Sequence, residues 1–320
     1  MPALTRLTRR PTARLVSRLT LSVLVANVVL VVTGGAVRLT SSGLGCPTFP
    51  TCTRDSLVTT PQMGGHGVIE FGNRMLTWVL TAITVAALVA IMRQRPRRSD
   101  LAGLIWLLLG GIFAQALLGG VAVLTGLNPV TVMAHFILSA ALIGIATVLH
   151  VRSGEPAGPV RPVVHRQVLL TGRLLVAATA AILVLGTVVT GSGPHSGDKY
   201  ALHRLPISPA SATQLHADVV FLMLGLTVAL LVLLPVTGAP ARVRARAYHL
   251  VGVTVLQGVI GYVQYFTKLP APLVAVHMLM ATLVWIASVR LLLAMRERVA
   301  PLPEPAAGAA GVPAQQRADA

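Results

Sequence analysis

The stretch His66-Gly67-Val68-Ile69-Glu70-Phe71-Gly72-Asn73-Arg74 leads without a break into an apolar run from Met75 to Met92. That run is long enough to cross a bilayer as a helix. An acid at the mouth of such a helix is costly, and most such acids are functional. Glu70 and Asn73 are three residues apart, so on a helix they share a face. The stretch therefore predicts a membrane helix with a functional polar group at one end.

The composition of the whole chain is typical of a membrane protein. Of the 320 residues, 54% are hydrophobic and only 11% are charged, which is rare in a soluble domain. Apolar runs of about 20 residues, the length that spans a bilayer, occur eight times. They lie at 17–37, 70–92, 101–124, 131–151, 168–191, 214–236, 248–266 and 272–295. We therefore expect an all-α integral membrane protein with eight transmembrane helices in the lipid bilayer.

The basic residues behind the net charge of +17 are concentrated in alternate loops. Basic residues precede the first run, fill the second, fourth and sixth loops, and follow the last run. They include Arg6, Arg9, Arg10, Arg14, Arg18, Arg93, Arg95, Arg97, Arg98, Arg152, Arg161, Arg166, Arg242, Arg244, Arg246, Arg296 and Arg298. Loops rich in Lys and Arg stay in the cytoplasm. This alternation predicts that both termini are cytoplasmic, and it argues against a nucleic-acid partner.

The second half of the chain repeats the first. Residues 115–135 align without a gap onto 257–277, which pairs Gln115 with Gln257 and His135 with His277. When the alignment of the two halves is shifted by one residue, Asn73 pairs with His216. Four helices per repeat is an even number, so both halves have the same orientation. The pattern predicts two repeated four-helix bundles packed about an axis along the membrane normal.

The repeat also sets the expected domain limits. A basic cytoplasmic N-terminus covers 1–16, and the N-terminal half covers 17–151. A cytoplasmic linker at 152–167 leads to the C-terminal half at 168–295. The tail at 296–320, rich in Ala, Pro and Gly beyond residue 300, is expected to be cytoplasmic and disordered.

Three histidines, His135, His216 and His277, lie near the outer ends of even-numbered helices. A lone histidine in a membrane helix is usually a packing residue, but three at equivalent depths favour a shared role. Facing helices of a bundle often supply two imidazoles to haem iron, so His216 and His277 predict a closed haem site. The matching pair in the first half is Asn73 and His135, and asparagine is not a usual haem ligand. One haem held for electrons and a second porphyrin undergoing chemistry would fit this difference.

The only two cysteines, Cys46 and Cys52, lie in the first outer loop. Outside the cytoplasm a disulfide can persist. A structural clip and a redox role are both open at this point. A metal site is disfavoured, because two cysteines without a histidine pair do not complete a tetrahedral ligand set.

These motifs together resemble the haem A synthases, membrane enzymes that oxidise a methyl of haem O to the formyl of haem A. The resemblance covers all eight predicted helices. It is carried by Thr33-Gly34-Gly35-Ala36-Val37-Arg38, Gly43-Leu44-Gly45-Cys46-Pro47, Glu70-Phe71-Gly72-Asn73-Arg74, residues 191–198, Cys52, His135, His216 and His277. Many members of the family have histidine at the position of Asn73, so Asn73 is not counted as a ligand.

The resemblance implies a function and a set of site residues. His216 and His277 would ligate the iron of a haem b, and Glu70 would be the catalytic acid of the substrate half. His135 would bind the iron of haem O or line its pocket, and Cys46–Cys52 would be a disulfide. The reaction would oxidise the C8 methyl of haem O through hydroxylated intermediates, supplying haem A to cytochrome oxidase.

Glu70 has two open interpretations. It could relay protons or stabilise a cationic intermediate at the methyl, or it could simply pair with Arg74 or Arg38. The two arginines could instead contact haem propionates, because guanidinium groups suit carboxylates.

The expected setting is a bacterial plasma membrane, with the active-site side toward the extracytoplasmic face. Expected partners are a haem O synthase and an electron acceptor, and a homo-oligomer is one possible assembly. Two other functions remain open: a di-haem cytochrome that only carries electrons, and a repeat-built membrane transporter. The cytochrome leaves Glu70 unexplained, and transporters usually bind at the bilayer midplane.

Overall fold

The computed structural model describes residues 10–195, 197–198 and 203–300. Within these ranges the chain forms eight long helices and two short strands. The helices are α1 Ala13–Leu39, α2 Gly64–Arg93, α3 Ser99–Leu124, α4 Pro129–Ser153, α5 Arg166–Ser192, α6 Pro209–Val236, α7 Ala241–Phe266 and α8 Ala271–Ala294. The strands are β1 Val160–Pro162 and β2 Arg296–Arg298. The predicted all-α architecture is confirmed, apart from this small strand pair.

Seven of these helices are long and apolar enough to cross a membrane. The exception is α7, which has 26 residues but carries Arg242, Arg244 and Arg246 near its start. Large apolar side chains such as Trp78, at 70% exposure, point away from the protein, as lipid-facing residues do. The chain is thus a multi-pass membrane protein, and the eighth span stays a prediction.

Helix packing follows the order of the chain within each half. In the first half α1 packs on α2 and α4, and α3 packs on α2 and α4; α5 to α8 pack in the corresponding way. Between the halves, α4 packs on α8, α1 on α8 and α4 on α5. Exchanging the two halves leaves this set of contacts unchanged. A repeat of two four-helix units would produce this pattern, and the repeat itself stays a prediction.

Each half has its own buried core. The first includes Leu101, Ile105 and Leu149, and the second includes Leu175 and Leu250, all fully buried. A polar contact joins the two cores, because the indole nitrogen of Trp285 on α8 donates to the Ala140 carbonyl on α4 at 2.9 Å.

Several helices begin earlier than the apolar runs predict. The second helix begins at Gly64 after a 3₁₀ turn at Pro61–Met63, so Glu70 lies in its second turn rather than at its mouth. The sixth begins at Pro209, where the Ser208 side chain caps the helix by accepting from the Ser211 amide. Apolar residues alone do not reveal these polar first turns.

The prediction that the disordered tail starts at residue 296 is wrong. Arg296–Arg298 is strand β2, paired antiparallel with β1 in the linker. Backbone bonds from Val163 to Met295 and from Val299 to Pro159 extend the pairing. Backbone hydrogen bonding to the linker therefore orders residues 296–299, which belong to the tail predicted to be disordered. Residues 1–9 of the predicted N-terminus and 301–320 of the tail lie outside the described residues.

Candidate functional site

The predicted polar groups lie at matching depths in the even-numbered helices. Glu70, His135 and His277 each lie six residues after the first residue of their helix (64 to 70, 129 to 135, 271 to 277), and His216 lies seven after (209 to 216). Even-numbered helices run in the same direction in this bundle. The four groups therefore collect at one end of the molecule, about two helical turns inside it.

Glu70 is buried, with 6% of its surface exposed, and forms an ion pair with Arg74 at 2.5 Å. The other carboxylate oxygen accepts the Cys46 amide at 2.6 Å. The two residues are four apart on α2, the spacing that brings side chains together on a helix. The simple pairing with Arg74, one of the two interpretations of Glu70, is thus present, and a chemical role for the acid is compatible with it.

Cys46 and Cys52 form a disulfide. Arg74 donates to the carbonyls of Cys46, Thr48 and Thr51 at 2.9, 3.1 and 3.3 Å, so one guanidinium holds most of the small loop closed by the bridge. The Met63 sulfur lies 3.6 Å from the Cys52 sulfur. The first outer loop is therefore fixed directly to the helix that carries Glu70.

His135 and His277 have equivalent surroundings. Gln115 on α3 donates to the His135 carbonyl at 3.0 Å, and Gln257 on α7 donates to the His277 carbonyl at 3.2 Å. A glycine of the same neighbouring helix faces each ring: a Cβ at Gly119 would lie 3.1 Å from the His135 Cε1 atom, and one at Gly261 would lie 3.3 Å from that of His277.

The His216 ring lies close to α5. A Cβ at Gly186 would come within 3.5 Å of its Cε1 atom, so a glycine again provides the space. His216 on α6 and His277 on α8 lie at matching depths in their helices. The structure thus places the two histidines predicted to share one site at the same end of the second half.

The first half differs at Asn73, which the predicted repeat pairs with His216. The Thr33 hydroxyl on α1 donates to the Asn73 amide oxygen at 2.7 Å. A Cβ at Gly34 would lie 3.8 Å from the Asn73 nitrogen, which is ordinary packing. Asn73 is therefore held by a hydrogen bond to α1, while His216 has a buried nitrogen without one.

Arg38 links the two halves. Its Nε donates to the His195 carbonyl at 2.6 Å and its Nη2 to the Thr190 carbonyl at 2.8 Å. Nearby, the Gly43 amide donates to the Gly197 carbonyl at 2.9 Å. The loop between α5 and α6 is thus anchored on the first half.

A haem fits the histidine pair of the second half. The Nδ1 atoms of His216 and His277 are buried and have no hydrogen-bond partner among the residues that the structure describes. Buried polar atoms are rarely left in this state unless a ligand or ion completes them. Two neutral imidazoles beside glycines are a suitable donor set for haem iron. His135 also has a buried, unpartnered Nδ1, so the first half has one such group.

Sequence reasoning did not assign a role to Gln115 or Gln257. The repeat pairs them, and that pairing was the signal that could have identified them as partners of His135 and His277. Thr33, which bonds Asn73, lies in Val31-Val32-Thr33-Gly34, a segment that the sequence repeats at Val188-Val189-Thr190-Gly191.

Comparisons with known proteins identify the family of the chain. The family described as "Cytochrome oxidase assembly protein", COX15-CtaA, matches residues 17–196. The chain is 36% identical over 133 residues to "Heme A synthase" of Bacillus pumilus (strain SAFR-032), covering 40% of this chain and 42% of that protein. It is 30% identical over 123 residues to "Heme A synthase" of Geobacillus kaustophilus (strain HTA426), covering 38% and 37%. The matched part of the chain thus spans about two fifths of these curated relatives.

Proposed function

Since the chain belongs to the COX15-CtaA family of cytochrome oxidase assembly proteins, we propose that it is a haem A synthase. It oxidises the C8 methyl of haem O to a formyl group through hydroxylated intermediates and so supplies haem A to cytochrome oxidase. The observation that carries this proposal is the difference between the halves. One half has two neighbouring histidines with unpartnered nitrogens, and the other has one such histidine and a buried acid.

In this proposal His216 and His277 hold a haem b. Bound haem b would supply one-electron redox chemistry. His277 has its Nε2 atom 3.1 Å from the Gln257 amide nitrogen. A ligand at the unpartnered Nδ1 atom would leave both contacts of Gln257 in place, the one to Nε2 and the one to the His277 carbonyl. Gln257 would then act as a positioning residue that holds the backbone of the ligand.

Glu70 and His135 serve the substrate half. Converting the methyl to a formyl with one oxygen atom from water releases four protons and four electrons. The electrons pass to the acceptor, and the Glu70 carboxylate accepts the protons and passes them on. The Arg74 guanidinium keeps the carboxylate in place, and the disulfide loop above it covers the site. His135 binds the iron of haem O or lines its pocket.

Arg38 and Arg74 are the proposed propionate contacts. Both already donate to backbone carbonyls of the outer loops. A propionate would therefore meet these side chains where the loops are attached, so substrate binding would be coupled to loop position. This arrangement suits a substrate that must enter and leave.

The proposal places the protein in a bacterial plasma membrane, with the Glu70 end toward the extracytoplasmic side. A haem O synthase would deliver the substrate, and a separate acceptor would take the electrons. The arginine-rich end would then face the cytoplasm, as the charge distribution predicts.

Pigment extraction tests the proposal. The protein would be expressed in a membrane that makes haem O but has no other source of haem A, and the extracted haems would be separated by mass. We expect haem A from the natural protein. We expect haem O or a hydroxylated intermediate from Glu70→Gln, which keeps an acceptor for the Cys46 amide but loses the charge. Asp218→Asn is the matched control, because Asp218 is an exposed acid at the same end of the bundle that bonds only Gln214 among its described partners.

The outcomes separate two functions. Haem A from the natural protein and Asp218→Asn, but not from Glu70→Gln, supports the synthase with Glu70 in the chemistry. Haem b alone from all three proteins would overturn the synthase and favour a cytochrome that only carries electrons.

A further inference from the structure

The end of the bundle opposite Glu70 contains a second cluster of charged side chains. It joins the N-terminal end of α3, the C-terminal end of α4 and strand β2. Arg98, Arg152, Arg296 and Arg298 supply four guanidinium groups, and Asp100 and Glu155 supply two carboxylates. Positive charge is therefore in excess within this cluster.

Part of the cluster is a closed structural network. Arg98 contacts both oxygens of Asp100, at 3.0 and 3.2 Å, and donates to the Arg152 carbonyl at 2.8 Å. Arg298 donates to Asp100 at 3.0 Å and lies 3.6 Å from Glu155. Arg98 and Arg298 thus engage Asp100 and fasten the strand to the helices, while Glu155 faces Arg298 without a hydrogen bond at its buried Oε2 atom.

The other two arginines form no ion pair within the described residues. The Nε of Arg152 and the Nη2 of Arg296 are buried and have no hydrogen-bond partner there, and the same holds for the Nε of Arg298 and the Oε2 of Glu155. Arg152 is repelled by Arg296 and Arg298 and attracted by Asp100 and Glu155. Buried donors normally find an acceptor, and the two carboxylates offset only half of the four positive charges, so a further anion would be stabilised here.

Strand geometry explains why the arginines gather. Alternate residues of a strand face the same side, so Arg296 and Arg298 turn toward Asp100 and Arg152 while Glu297 turns outward to Arg242. The cluster lies at the ends of membrane helices, since Arg152 is next to the last residue of α4 and Asp100 is the second residue of α3. This is the level of the lipid headgroups.

From these observations we propose that Arg152 and Arg296 form a binding site for a phosphate group. Planar guanidinium groups suit phosphate oxygens, and basic pockets between membrane helices bind anionic lipid headgroups. The phosphate would offset the excess positive charge and accept from the two unpartnered donors. Because β2 belongs to the end of the chain and α4 to the first half, an occupied site would also fasten the two halves together.

Native mass spectrometry of the detergent-purified protein with added phosphatidylglycerol tests this site. We expect Arg296→Gln to weaken lipid retention about fivefold, and the double variant Arg152→Gln with Arg296→Gln to weaken it further. Neither change removes a side-chain bond of Arg98, Asp100 or Arg298, so the network that holds β2 remains. Arg242→Gln is the matched control, because Arg242 is an exposed arginine at the same end.

Inorganic phosphate provides the second arm of the test. If millimolar phosphate leaves the difference between the variants unchanged, the ligand is a lipid headgroup. If phosphate abolishes the difference, the same site takes free phosphate. Equal lipid retention by the natural protein, Arg296→Gln, the double variant and Arg242→Gln, with no effect of phosphate, would overturn the proposal.

Discussion

Glu70 and Arg74 hold Cys46 from both sides. The Glu70 carboxylate accepts the Cys46 amide at 2.6 Å, and the Arg74 guanidinium donates to the Cys46 carbonyl at 2.9 Å. The two side chains also pair with each other. The acid proposed for chemistry is therefore also an anchor of the disulfide loop, and substitutions must separate these two roles.

Replacing Arg74 with Gln should loosen that loop. The change removes the ion pair and most of the bonds to three carbonyls, and bonds to charged groups contribute about 1.5–3 kcal/mol each. We expect the free energy of opening the loop to fall by about 2 kcal/mol, which speeds amide exchange of residues 46–52 about thirtyfold. Hydrogen–deuterium exchange measures this directly.

The matched control for that experiment is Arg54→Gln, an exposed arginine in the same loop. It should leave exchange unchanged. Unchanged protection in Arg74→Gln as well would mean that the disulfide alone holds the loop.

The glycine beside His277 should limit haem binding in the second half. A Cβ at Gly261 would approach the His277 ring to 3.3 Å, while one at Gly258, a turn away on α7, would meet nothing within 4 Å. We expect Gly261→Ala to push the ring off its preferred rotamer at a cost of about 1 kcal/mol, which weakens haem binding about fivefold. Haem absorbance per protein during titration gives the affinity.

Gly258→Ala should bind haem as the natural protein does. If both alanine variants behave alike, the His277 ring does not carry the haem, and the assignment of this ligand fails.

Much of this architecture could be predicted from the sequence. Helix number and order follow from apolar length, because crossing a bilayer needs about 20 apolar residues. The equivalent positions of His135 and His277 follow from the repeat, since one offset relates both the histidines and their glutamines.

The remaining features depend on contacts between distant residues. The bond from Arg38 to His195 joins residues 157 positions apart, and no local pattern encodes it. Strand β2 forms because the distant linker offers it backbone partners, and no pattern within residues 296–298 predicts that pairing. The sequence predicted the Glu70–Arg74 pair as one of two interpretations of Glu70. The hydrogen bonds from this pair to Cys46 could not be predicted, because they depend on how the loop that contains Cys46 folds back onto α2.

Replacing Arg38 with Gln tests the link between the halves. The change removes the two bonds that tie the Thr190 and His195 carbonyls to α1. We expect faster amide exchange in residues 191–195, by about tenfold or more, with unchanged exchange in α6. Arg38→Lys keeps the charge but offers a single ammonium, so it should give an intermediate result. Slow exchange in both variants would show that the loop is held by other contacts.

An exchange of residues between the halves tests their division of roles most directly. The predicted repeat pairs Asn73 with His216; Asn73 accepts a hydrogen bond from Thr33, whereas His216 has a ring nitrogen without a partner among the described residues. We expect Asn73→His to give the first half a second imidazole, so that it retains a porphyrin through purification and total haem per protein rises. Gly34 leaves space beside Asn73, since a Cβ there would stay 3.8 Å from its nitrogen.

Conversely, His216→Asn should lose the haem b of the second half while the fold, followed by circular dichroism, is kept. If both variants have the same haem content as the natural protein, these two positions do not decide which half holds a porphyrin.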